Sequence, residues 1–562
     1  MELTIDNIKN ILKDKNKDGS AETLMGEIAF QNRDALKSIA DSANGVTRSN
    51  TKWRRCEYIF ISIRPEERVS MDVCLKGWKA LAQSHADQTL ILEDSFSNWT
   101  IYNYNSEIVG HNEELELLIK KLSENRNHSV KKFHSTSMVE FTKHHHYFTA
   151  LRTKPFMLLA GISGTGKSRI VRKLAQATVT EELQKAEGYK GTDFANDRWT
   201  LHSPANFELI QVKPNWHNSM DVIGYLSNIP SPHYVFTPFI EFIVKAWQHP
   251  EVPFFLCLDE MNLAPVEEYF AEFLSAIESR SFEGEEYLTD PIIKPFNSFG
   301  EDVAKTMVNT LFPNFTAGDT ESAITKVIKH FRTKGLTLPK NLIVIGTVNM
   351  DETTFSFSRK VLDRAMSVEM NEVNYDSFLT DTTDDDLKAI VEAFEQNDDA
   401  DLNALLVDRH IEAREIIDDL GDDAKFTIGY LKRINALLEG TPFKLGYRAA
   451  NEALIYLQAS YEFGQTDRIS ALDNFTLMKI LSRIEGDETK LKITDSEADK
   501  ERIAKAEVNV DEAKQYGDLN ILTALRQIIT NQLGEQDKLH SVKKIDSMLS
   551  QLKRDHFVSF WN

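Results

Sequence analysis

The sequence predicts an α/β protein with three parts: a parallel-sheet core, a helical lid with a C-terminal helical region behind it, and a small α+β domain in front. Three observations predict it. A strand–loop–helix unit with a glycine-rich loop occupies residues 155–177. Further apolar runs alternate with helical periodicity up to residue 370, as in a parallel sheet covered by helices. Beyond residue 370, apolar residues recur at helical spacing almost to the final Phe560-Trp561-Asn562.

In chain order, residues 1–45 carry apolar positions at helical spacing and read as helices. Glu57–Ile63 and Gln88–Leu92 read as strands, with Trp99–Tyr102 a third, which gives an α+β domain over residues 1–125. Helical spacing returns over His111–Ser123, and a polar, basic linker, Arg126–Lys132, follows. Three adjacent histidines, His144 to His146, cannot share one helix face and read as exposed rather than metal-binding. Residues 135–370 hold the predicted sheet strands Pro155–Ala160, Phe207–Val212, Phe254–Leu258 and Leu342–Thr347. A long insertion spans 281–340, with one helix near Glu321–Phe331. Residues 371–562 form the helical lid and C-terminal helical region.

A chain of 562 residues exceeds one hydrophobic core and implies several domains. No run of eighteen apolar residues occurs, so no membrane helix is expected. Cys56, Cys74 and Cys257 form no disulfide or metal pattern, and the N-terminus shows no leader-like apolar segment, which predicts a reducing cytoplasm. The net charge of −21 is uneven: residues 371–440 hold about 19 acidic and 6 basic side chains. Clusters such as Asp384–Asp386, Asp398-Asp399 and Asp418-Asp419 read as solvated faces and loops. An acidic bulk argues against non-specific DNA binding, whereas Arg48, Lys52, Arg54 and Arg55 leave room for a local basic patch.

The loop Gly161-Ile162-Ser163-Gly164-Thr165-Gly166-Lys167-Ser168 matches Gly-x4-Gly-Lys-Ser/Thr in full, between an apolar strand and an amphipathic helix. Its glycines let backbone N–H groups turn toward phosphate oxygens, and the helix N-terminus adds its dipole. Lys167 is expected to reach the β- and γ-phosphates of ATP or GTP, and Ser168 to ligate Mg²⁺. A second apolar strand ends in Asp259-Glu260, where Asp259 would join the Mg²⁺ shell and Glu260 would act as general base on the attacking water. A third, Asn341–Asn349, would place the Asn349 amide beside the γ-phosphate. Arg364, or else Arg359, is the candidate arginine that reaches a neighbouring subunit's nucleotide in ring NTPases. Arg448, opening a helix after the acidic region, is expected to lean over the nucleotide from the lid.

As a set, Gly161–Ser168, Leu258–Ala264, Gly346–Thr354, Val361–Ala365 and Gly446–Arg448 resemble the AAA+ ATPases, and among them the McrB-type motors of modification-dependent restriction systems. Val212–Tyr225, Phe270–Arg280 and the closing Lys544–Trp561 segment are also similar. The resemblance spans roughly residues 140–562 and implies a hexameric ring with nucleotide between subunits. It also implies a separate McrC-like nuclease partner and DNA recognised through the N-terminal domain or the complex. No nuclease motif occurs in this chain. The chain departs from the best-known members at Asn262-Leu263-Ala264 and at Val348–Thr354, so their GTP preference is not carried over. The alternative reading is a MoxR-like remodelling chaperone acting on proteins. A nucleotide-gated scaffold ranks below both, because Glu260 and Asn349 are present.

Overall fold

The computed structural model describes residues 143–561, apart from 285, 314, 316–322, 351–354, 356, 372–384, 396–400, 466 and 535–538. Before residue 143 it describes five strands and a few residues beside the last of them. The chain divides into two compact units, Met1–Ser135 and Thr136–Asn562.

The first unit holds a five-stranded sheet in chain order. Ile28–Asn32, Tyr58–Ser62 and Thr89–Glu93 pair in parallel. Trp99–Tyr102 and Ile108–Gly110 extend the sheet in antiparallel pairing beyond Thr89–Glu93. Parallel neighbours need a crossover of a dozen or more residues, and the intervening segments 33–57 and 63–88 have that length. The strand Ile28–Asn32 replaces part of the helix expected over residues 1–45. Five residues, Ile-Ala-Phe-Gln-Asn, carry too little local pattern to reveal a pairing partner 30 positions away.

In the second unit the central strands are β1 (Phe156–Gly161), β2 (Phe207–Gln211), β3 (Phe254–Asp259), β4 (Leu342–Asn349) and β5 (Met366–Glu369). They are all parallel, in the order β5-β1-β4-β3-β2. Every residue of β1 and β4 is buried, which is why they read as unbroken apolar runs rather than alternating ones. The period of two still sorts their side chains between two cores. Met157, Leu159, Cys257, Ile343 and Ile345 face one. Phe156, Leu158, Leu256, Leu258 and Val344 face the other.

The first core contains helix α1 (Lys143–Thr153), helix α2 (Lys167–Thr178) and most of the helical region beyond residue 385. Helices α4 (Tyr447–Glu462), α5 (Ile521–Leu533) and α6 (His540–Asp555) therefore share apolar packing with one face of the sheet. Burying each such Leu or Ile contributes roughly 1.5–3 kcal/mol, so the region is held by the same burial that holds the sheet. On the other face packs α3 (Pro238–Gln248), started by Pro238 at its first turn. Asn341 ties its end to the sheet: the buried amide donates to the carbonyls of Ala246, His249 and Val252 at 2.8–3.0 Å.

The histidine run departs from expectation. His144 and His145 are buried, and His144 Nδ1 lies 2.5 Å from Asp386 Oδ2 across the helical region. Asp386 is thus the partner of a buried imidazole rather than part of a purely solvated acidic face. Burial draws His145 and His146 down to about 4, reinforced by neighbouring histidines. The insertion holds a second helix, Glu301–Leu311, beside the expected one at Ala323–Thr333. The C-terminal region also carries a short antiparallel ladder between Glu485–Asp487 and Phe557–Ser559. Among the described residues no helix is long and apolar enough to cross a membrane.

Candidate active site

The predicted loop residues, the acidic pair and Asn349 meet at the C-terminal ends of β1, β4 and β3, the edge of an open parallel sheet where ligands characteristically bind. β4 lies between the other two. Its Asn349 pairs in register with Gly161, where the loop begins, and its Gly346 pairs with Leu158 on one side and Leu258 on the other. That register sets the loop, the acidic pair and Asn349 side by side.

The loop leaves β1 at Gly161, where a Cβ would stand 2.4 Å from the Met370 carbonyl oxygen, so only glycine allows β5 to approach. Gly166, at φ 84°, turns the chain into α2 with a left-handed step that a side chain would strain. Lys167 is buried, and its ammonium donates back to the carbonyls of Gly161 and Ile162 at 2.9 and 2.8 Å. The loop N–H of Ile162 donates to Asn371 Oδ1 at 3.0 Å. Asn371 Nδ2 in turn donates to Glu369, which pairs with Lys544 on α6. Two residues that the sequence did not single out thus brace the loop from beneath.

Below the helix start, Ser168 Oγ donates to Asp259 Oδ1 at 2.5 Å. Thr347 Oγ1 donates to the same carboxylate oxygen at 2.8 Å and accepts the Glu260 N–H at 2.9 Å. Glu260 stands in the left-handed region at φ 53°, a conformation that costs a non-glycine residue energy and persists where the surroundings enforce it. Asn349 Nδ2 donates to Glu260 Oε1 at 3.1 Å. One hydrogen-bonded chain therefore runs Ser168–Asp259–Thr347–Glu260–Asn349. Thr347 escaped the sequence reading, although its place two residues before Asn349 on the same strand face was a usable signal.

The three arginines lie outside this chain. Arg364 is half-buried in the turn before β5, and among the described residues its guanidinium has no hydrogen-bond or ion-pair partner. Arg359 donates to the Pro442 carbonyl at 3.0 Å and lies 5.2 Å from the Phe443 ring centroid, so it is engaged with the lid. Arg448, at the start of α4, is half-exposed and forms an ion pair with Glu278. Residues 351–354, the rest of the Val348–Thr354 motif, fall outside the described residues, as do the basic residues at 48–55.

The donor set suits the expected ligands. Ser168 and Asp259 supply hard oxygen atoms of the kind Mg²⁺ prefers. The loop is open at Gly164, where a Cβ would meet nothing within 4 Å.

Residues 411–557 match a family described as a domain of unknown function (DUF8727). That stretch includes α4 with Arg448 and most of the C-terminal helices, and it stops short of the sheet and its loop. No curated protein matches the chain.

Proposed function

We propose that this chain is a nucleoside triphosphatase of AAA+ type, hydrolysing ATP or GTP as the motor subunit of a ring. The observation that carries the reading is the continuous chain Ser168–Asp259–Thr347–Glu260–Asn349 beside a glycine-rich loop. It joins a cation site to a carboxylate that an amide orients, which is the equipment hydrolysis requires and mere nucleotide binding does not.

In this mechanism the triphosphate lies along Gly161–Ser168, and Lys167 exchanges its loop carbonyls for phosphate oxygens. Ser168 and Asp259 would hold Mg²⁺, which supplies neutralising charge at the phosphate oxygens. Glu260, oriented by Asn349, accepts a proton from the attacking water. The water oxygen bonds to the γ-phosphorus as the bond to the bridging oxygen breaks, leaving nucleoside diphosphate and inorganic phosphate. Arg364, whose guanidinium no described residue of its own chain engages, meets the developing charge in the neighbouring subunit's site. Arg448 acts from the lid of the same chain, and Arg359 fixes that lid through Pro442.

The resemblance to McrB-type motors supports a homo-hexameric ring in a restriction or antiviral-defence system. Such a ring binds DNA and drives a separate McrC-like nuclease. Nucleotide binding tests the foundation. Lys167→Ala should lose binding of ATP and GTP analogues in the presence of Mg²⁺, and a variant that binds as well as wild type contradicts the proposal. Duplex DNA distinguishes the biological readings: a salt-steep interaction with the full chain, or DNA-stimulated turnover, favours the defence motor. Indifference to DNA favours a protein-remodelling chaperone.

A further inference from the structure

Glu452 is a buried carboxylate on α4, four residues after Arg448 and on the same helix face. It holds two lysines that are themselves almost wholly buried. Lys154 Nζ lies 2.5 Å from Glu452 Oε1, and Lys479 Nζ lies 2.8 Å from Glu452 Oε2. Both lysines reach beyond this pair. Lys154, two residues before β1, also contacts Glu278 at 3.3 Å, the acid that pairs with Arg448. Lys479 donates to the carbonyls of Leu362, Asp363 and Ala365 at 2.8–3.3 Å. Those carbonyls flank Arg364 on both sides. Arg483 completes the grip with an ion pair to Asp363 at 2.7 Å.

Buried charges are costly and persist where partners surround them. Burial alone would raise Glu452, yet the two ammonium groups hold it well below the usual carboxylate range. Stability does not require such an assembly, because packed apolar residues serve a core at least as well. What the network joins is more telling: the strand that ends in the phosphate loop, the lid helix that carries Arg448, and the turn that carries Arg364.

We infer that Glu452 and Lys479 are positioning residues that couple a subunit's own lid to the arginine it presents to its neighbour. This rests on the reading of Arg364 as an arginine acting across the subunit interface. A lid helix that shifts with the nucleotide carries Glu452 with it, and through Lys479 it moves the turn 362–365. The state of one site is thereby written into the arginine offered to the next.

Lys479→Met keeps the length of the side chain and removes the donor to the three carbonyls. The full-length variant should bind nucleotide as wild type does, with kcat lowered about tenfold or more and KM nearly unchanged. Mixing decides the route. Lys167→Ala subunits have a disabled loop but an intact Arg364, so adding them to Lys479→Met subunits should restore turnover in part. Arg364→Ala mixed with Lys167→Ala is the control. If the control recovers and Lys479→Met does not, the coupling is overturned while the arginine's role stands. If neither recovers, the reading of Arg364 fails and the coupling with it. Wild-type turnover by unmixed Lys479→Met also overturns the coupling. Should that variant be insoluble, Asp363→Asn, at a half-buried side chain, carries the same mixing test with the same two outcomes.

Discussion

Thr347 offers a sharp perturbation, because one hydroxyl serves both acids of the site. Thr347→Val preserves the volume and branching of a buried side chain but removes the donor to Asp259 and the acceptor for the Glu260 N–H. The Glu260 backbone then loses its brace in a left-handed conformation, and Asp259 keeps, among the described residues, the Ser168 hydroxyl. A hydrogen bond to a charged group contributes roughly 1.5–3 kcal/mol, which corresponds to about a 10- to 150-fold loss of rate if it is felt in the transition state. The assay is steady-state phosphate release as a function of nucleotide and of Mg²⁺. Turnover should fall within that range and the Mg²⁺ requirement should rise, while the melting temperature moves little. Wild-type turnover with a wild-type Mg²⁺ curve would refute the idea that Thr347 organises the acidic pair.

Three further outcomes are expected. Gly161→Ala drives a methyl group against the Met370 carbonyl, so it should weaken nucleotide binding at least tenfold, as read by titration with a fluorescent analogue. Asn371→Leu removes the acceptor of the Ile162 N–H and should raise the nucleotide dissociation constant severalfold, with kcat at saturation nearly unchanged. The histidines predict a pH dependence of stability. His145 is held at about 4 by burial, below its unfolded value, so the unfolded chain takes up more protons between these pKa values. Stability is therefore full above about pH 6.5 and falls as pH drops toward 4, by roughly 2 kcal/mol for this one group between pH 7 and pH 5. Thermal melts should show the loss, and His145→Gln should reduce it, leaving the share of His146.

The buried strands were legible because burial on both faces writes itself as continuous apolar sequence: Phe156–Gly161, Phe254–Asp259 and Leu342–Asn349 could be read almost to their ends. The residues at those ends followed from strand-loop chemistry, and the structure brings Lys167, Ser168, Asp259, Glu260 and Asn349 together at one edge. β5 was not legible. Its four residues follow the polar turn Asp363-Arg364 and owe their strand state to pairing with β1 more than 200 positions earlier. The same distance hides charged partners. Glu452 and Lys479 look like surface residues in a helical stretch, and nothing local announces that they bury against Lys154 and the carbonyls around Arg364. His144 was misread for that reason, since its partner Asp386 lies 242 residues away. Where a side chain's position follows from its own strand or loop, the sequence revealed it; where it depends on a tertiary ion pair, it did not.

The central claim is that Glu260 performs the proton chemistry of triphosphate hydrolysis at a site that Lys167 fills. Phosphate release by wild type and Glu260→Gln, at nucleotide concentrations shown by direct binding to saturate both, tests it most directly. The account predicts steady turnover by wild type and retained binding with turnover reduced at least a hundredfold in the variant, within the range that general-base catalysis contributes. Equal turnover by the two proteins, or a wild-type protein that binds triphosphate without ever releasing phosphate, would contradict it.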